Sequence, residues 1–146
     1  MQKEQNRNSC NMIFAVIDTN VLVSALLTHN LQSPTFRVIN AIFARQIVPM
    51  YNEEIIGEYS DVLHRPKFGF SHKEIVFYLR VIKEIGIKCQ RVTSNAFFSD
   101  PEDIVFYEVA LSKEKAYLVT GNKKHFPNTS IVVTPAEMME ILQRKG

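Results

Sequence analysis

The run Ile13-Phe14-Ala15-Val16-Ile17 is apolar at every position. A strand with one face in water alternates polar and apolar residues, so an unbroken run of this length fits a strand buried on both faces. Asp18-Thr19-Asn20 interrupts it, and a second apolar run from Val21 to Leu27 reads as a helix packed on that strand. The pattern recurs. Strand-like runs at 12–17, 46–50, 87–92, 116–120 and 131–133 alternate with helix-like segments at 20–28, 34–45, 52–64, 71–85, 100–114 and from Pro135 onward. That alternation predicts an α/β domain built on a mainly parallel sheet of about five strands.

Length and composition bound the rest. The chain has 146 residues, of which 46% are apolar, enough for one domain with one substantial core. We expect a polar, disordered lead over residues 1–11 and a single domain over 12–146. The lead, MQKEQNRNSCN, lacks the apolar centre of a signal peptide, and no run approaches the ~18 apolar residues of a membrane span. A cytoplasmic protein is therefore expected. Cys10 and Cys89 have no metal-ligand spacing and read as unpaired thiols. A net charge of +2 neither announces nor excludes a nucleic-acid partner.

In open α/β sheets, ligand sites lie along the carboxyl edge, where each strand hands the chain to a helix. Asp18 follows the first strand, and Asn122 follows the strand "AYLVT". Asp100 and Asp103 open the helix after the strand at 87–92, and Glu58 lies within the helix after the strand at 46–50. At roughly 100° per residue, Asp103 shares the sheet-facing arc of Phe106, Tyr107 and Ala110. Glu58 borders the apolar stripe of Ile55, Ile56, Tyr59, Val62 and Leu63. Asp18, Glu58 and Asp103 are thus the acids that pattern places nearest the core. Carboxylates converging without matching bases raise one another's pKa values. A hard divalent cation such as Mg²⁺ or Mn²⁺ relieves that repulsion and can activate water against a phosphodiester.

Each of these residues also has a plainer reading. Asp100-Pro101-Glu102-Asp103 is a good helix start, with Asp as cap, Pro at the first position and acids against the positive helix end. Asp18 either caps the following helix or serves as a ligand; Asn20 is an alternative cap. Lys123-Lys124-His125 reads as a solvated loop or as a phosphate clamp, with Lys123 and Lys124 the candidates for phosphate-backbone contact. The aromatic residues fall mostly at core spacing. No GxGxxG follows the first strand and no P-loop motif occurs, which excludes the common nucleotide-binding α/β classes. An aspartyl-phosphate phosphatase needs a second Asp where Asn20 stands.

The segments "VIDTNVLVSALL", "EEIIGEYSDVLHRPKF", "DPEDIVFYEVALSKEKAYLVTGNKKHF" and "VVTPAEMMEIL" together resemble a PIN domain. The likeness is to the toxin-like (VapC-like) group of toxin–antitoxin pairs, and it spans most of residues 12–142. The resemblance implies a three-layer α/β/α fold and an Mg²⁺- or Mn²⁺-dependent ribonuclease, with Asp18, Glu58 and Asp103 as metal-holding, catalytic acids. It implies an assisting role for Asn122, at a position where many PIN domains carry an acid, and Asp100 is a candidate compensating carboxylate. Thr120 and Asn20 are candidates for orienting the carboxylates or a water. It also implies an RNA substrate, a small antitoxin partner and a homodimer. A non-catalytic RNA- or protein-binding PIN module is the alternative, and a small-molecule phosphatase a third reading.

Overall fold

The computed structural model describes residues 12–145; the expected lead at 1–11, with Cys10, lies outside the described residues. Five strands, β1 (Ile13–Ile17), β2 (Ile47–Tyr51), β3 (Ile87–Lys88), β4 (Tyr117–Val119) and β5 (Val132–Val133), form one sheet in the order β3-β2-β1-β4-β5. Every pairing is parallel. Six helices flank the sheet in a three-layer α/β/α arrangement. They are α1 (Thr19–Leu27), α2 (Pro34–Phe43), α3 (Glu53–Leu63), α4 (His72–Ile85), α5 (Pro101–Ala110) and α6 (Pro135–Lys145).

The strand β1 is the hub. Ile13, Ala15, Val16 and Ile17 are buried, which is why the run carries no polar residue on either face. Its neighbours are β2, paired Ile13↔Ile47, and β4, paired Val16↔Leu118. The chain builds outward from β1 through β2 to β3, then crosses to the other side of β1 to form β4 and β5. The strand order therefore reverses between β1 and β4, and a parallel sheet opens a crevice at such a point.

Local chemistry sets the helix ends. Asn52 Oδ1 accepts from the Ile55 N–H at 2.9 Å to start α3, and a Ser71–Glu74 capping box starts α4. Asp100 Oδ1 accepts from the Glu102 N–H at 2.9 Å, with Pro101 at the first helical position of α5. After α4, Gly86 lets the chain pass against β2: a Cβ there would lie 2.3 Å from the Pro49 carbonyl oxygen.

Three boundaries differ from expectation for physical reasons. The helix α1 begins at Thr19, so Asp18, not Asn20, holds the cap position. The strand β3 stops at Lys88 instead of continuing to 92, and Arg91 is drawn off the sheet onto acids of α3 and α5. The helix α5 ends at Ala110, short of 114; Lys115, beyond it, takes the left-handed conformation at φ 66°. No helix among the described residues is long and apolar enough to cross a membrane.

Candidate active site

The crevice beside β1 and β4 is occupied by acid. Asp18 sits at the cap position of α1, yet its side chain makes no capping hydrogen bond. Instead Oδ2 accepts from the Thr120 hydroxyl at 2.7 Å. The Thr120 oxygen in turn accepts from the Asn122 backbone N–H at 3.0 Å. With that lone pair used, the single hydroxyl proton is committed to Asp18. The Asp18 N–H donates to the Val119 carbonyl at 2.9 Å, so backbone and side chain are both fixed against β4. Asp18 is 7% exposed and Thr120 fully buried. Burial pushes the Asp18 carboxyl above the usual range, against the opposing pull of the Thr120 hydrogen bond.

Asp103 projects from the first turn of α5. Its Oδ2 is buried and has no hydrogen-bond partner. The His125 ring Nδ1 stands 3.8 Å away, beyond hydrogen-bond range. Burial first, then the charges of Asp18 and Asp100, push its pKa up to about 6. A buried carboxylate oxygen with no donor is costly and marks a missing partner.

Glu58 faces the same space from the middle of α3. Its pKa is raised by partial burial and then by Glu102, with Asp18 a weaker influence. The next residue, Tyr59, is buried, and its hydroxyl donates to the Ile17 carbonyl. That bond docks α3 onto the end of β1, one residue before Asp18.

These groups share one cleft of about 180 Å³, lined by Asp18, Thr19, Asn20, Glu58, Arg65, Asp100, Glu102, Asp103 and His125, with Val62 and Phe106 beneath. Asp18, Glu58, Asp100 and Asp103 are thus brought to a common space, and Asn20 stands at its rim. The three carboxylates expected to converge share this cleft. Among the described residues, no three acidic, His or Cys side chains stand close enough together to form a ready ligand set. Glu58 feels Glu102 more strongly than Asp18.

Asn122 also departs from expectation. It is exposed, does not line the cleft, and its side-chain amide lies 3.3 Å from the ring of His125. Neither Lys123 nor Lys124 lines the cleft. Lys123 Nζ pairs with Glu137 at 3.2 Å, and both lysines border a separate cavity with Phe126, Pro127 and Asn128. The basic groups of the cleft are Arg65 and His125, the latter from the Lys123-Lys124-His125 run that reads as a solvated loop or a phosphate clamp.

The donor set suits a hard divalent cation. Asp18 and Asp103 offer carboxylate oxygens, one of them orphaned, and each carries a raised pKa that a cation would lower. Mg²⁺ commonly takes one or two carboxylates and fills its other positions with water and substrate phosphate. An Asp18–Asp103 pair therefore fits such an ion without a preformed third ligand.

Comparison with protein families returns one match: a family model described as PIN domain covers residues 15–124, from β1 through Asp18, Glu58, Asp103 and Asn122 to the turn after β4. No curated protein matches the sequence.

Proposed function

The chain belongs to the PIN domain family, and from that premise we propose that it is a divalent-metal-dependent endoribonuclease working in the cleft between β1, α3 and α5. PIN domains are generally nucleases that use divalent metals. The observation that carries the proposal is the buried, partnerless Oδ2 of Asp103 in the cleft that Asp18 also lines.

Asp18 and Asp103 would hold the ion, Mg²⁺ or Mn²⁺, with Glu58 approaching from the outer side. When bound, the ion supplies Lewis acidity to the phosphodiester and to the attacking water. The chain's own groups do the rest. Thr120 donates its only hydroxyl proton to Asp18 Oδ2, which favours the charged carboxylate against the effect of burial and fixes its orientation. Asn20 and Asp100, at the rim, are placed to orient water. Arg65 lines the cleft and forms no ion pair among the described residues, so its charge is open to a phosphate. His125 is placed to give a proton to the leaving oxygen.

The test is cleavage of an RNA oligonucleotide by purified protein with and without Mn²⁺, wild type beside Asp18→Asn. We expect cleavage only by wild type and only with Mn²⁺. Full activity in Asp18→Asn would overturn the assignment. Turnover of small phosphoesters without RNA cleavage would point to a phosphatase.

A non-catalytic RNA- or protein-binding module is the second reading, favoured by the absence of a ready three-ligand set among the described residues and by Asn122 lying outside the cleft. The toxin role, the antitoxin partner and the homodimer are proposals that rest on the sequence resemblance. A short reading frame beside the gene whose product silences the nuclease would support the pairing.

A further inference from the structure

Arg91 lies outside the cleft, between β3 and α5, and it touches both α3, which carries Glu58, and α5, which carries Asp103. Its Nη1 is 2.8 Å from Glu54 Oε2 and 3.1 Å from Oε1. Its Nε and Nη2 lie 2.8 Å and 2.7 Å from Glu108 Oε1. Glu54 is one turn before Glu58 on α3, and Glu108 is five residues after Asp103 on α5. The guanidinium is thus a planar link between two helices, a task its rigid fork suits and a lysine does not.

The α5 end of the link is firm. Glu108 is 7% exposed, and its second carboxylate oxygen accepts from the Ser94 N–H at 2.7 Å. The Val92 N–H donates to the Glu108 carbonyl at 3.1 Å. The α3 end is open: the Glu54 side chain is 58% exposed and held through Arg91. Arg91, Glu54, Glu58 and Glu102 border a cavity of about 280 Å³ that shares Glu58 and Glu102 with the cleft. Arg91 therefore stands behind the wall whose inner face presents Glu58.

We infer that Arg91 is a positioning residue: its clasp on Glu54 and Glu108 fixes the spacing of α3 and α5 and so sets how Glu58 faces the Asp18–Asp103 pair. The inference rests on the cation site proposed above. It gives the clasp a purpose beyond securing a loop. Glu58 shares the cleft with Asp18 and Asp103, and misplacement by about 1 Å is enough to cost a site ~10²-fold.

The test is calorimetric titration with Mn²⁺ alone on wild type, Glu54→Gln, Arg91→Lys and Arg91→Ala, with melting temperatures in chelator and steady-state RNA cleavage alongside. Glu54→Gln cuts only the exposed α3 end, so it keeps the fold even if Arg91→Ala does not. We expect Glu54→Gln and Arg91→Lys to weaken Mn²⁺ binding about 10-fold and to lower kcat, with KM for RNA unchanged, since Arg91 lies outside the cleft. The melting temperature of Glu54→Gln should hardly move, because an exposed ion pair contributes little to stability. Folded Glu54→Gln and Arg91→Lys proteins that bind Mn²⁺ and turn over like wild type would overturn the clasp alone. A wild type that binds no Mn²⁺ would overturn the cation site, and the inference with it.

Discussion

The two walls of the cleft are built by different means. The inner wall is Asp18 and Thr120 at the sheet edge, with Asp103 facing Asp18 from α5: Asp18 and Thr120 directly follow paired strands, are buried, and are locked together by backbone and side-chain hydrogen bonds. The outer wall, Glu58 and Arg65, belongs to α3 and the turn after it. That helix reaches the inner wall through the Tyr59 hydroxyl on the Ile17 carbonyl, and reaches α5 through an ion pair half in solvent. The difference separates cost from adjustability. The inner carboxylate cannot move away from its desolvation, so its charge is destabilising until a cation arrives. The outer one is partly hydrated and moves with its helix.

If this contrast is right, inner-wall and outer-wall substitutions should differ in size and in sign. Asp103→Asn should lower RNA cleavage by about 10³-fold or more, the scale of losing a preorganised charge at the reacting centre, while raising the melting temperature in chelator at pH 7.5. Loss of activity with loss of stability would instead mean that Asp103 is structural. Thr120→Val should weaken Mn²⁺ binding 10- to 100-fold, the usual cost of removing a group that orients a ligand; calorimetry reads this directly. Glu58→Gln should cost less, about 10-fold in kcat, since Glu58 is only half-buried. A loss as large as that of Asp103→Asn would show that the outer wall is as fixed as the inner.

The smallest effect is in pH dependence. A carboxyl whose folded pKa lies above its unfolded value binds more protons folded than unfolded across that interval, so stability declines as pH rises through it. For Asp103 the interval runs from the ordinary 3.8 to about 6, and Asp18 adds in the same direction. Metal-free protein should therefore melt at a higher temperature near pH 5 than near pH 7.5, and Mn²⁺ should remove or reverse that slope. A metal-free stability that rises over this range would contradict the raised pKa values.

What was legible in the sequence follows the same division. Asp18 and Asp103 stand where an apolar run ends and where a helix begins, and strand and helix periods locate such points without knowledge of long-range contacts. Glu58 was visible as the acid bordering the stripe of α3, but its distance across the cleft depends on how α3 leans, which periodicity does not encode. Arg65 and His125 lie in short segments with no period, so a solvated loop and a phosphate clamp could not be told apart there from local pattern. Asn122 follows β4 as expected, yet its side chain turns to His125. The early end of β3 comes from Arg91 reaching acids 37 and 17 residues away, a tie that no local window contains.

The central claim is that Asp18 and Asp103 form a cation site on the inner wall. Titration calorimetry of the purified protein with Mn²⁺ tests it most directly, comparing wild type with Asp18→Asn and Asp103→Asn. The account predicts saturable binding in wild type that is lost in both variants while the fold persists. Saturable binding retained in either variant, or none in wild type, would contradict it.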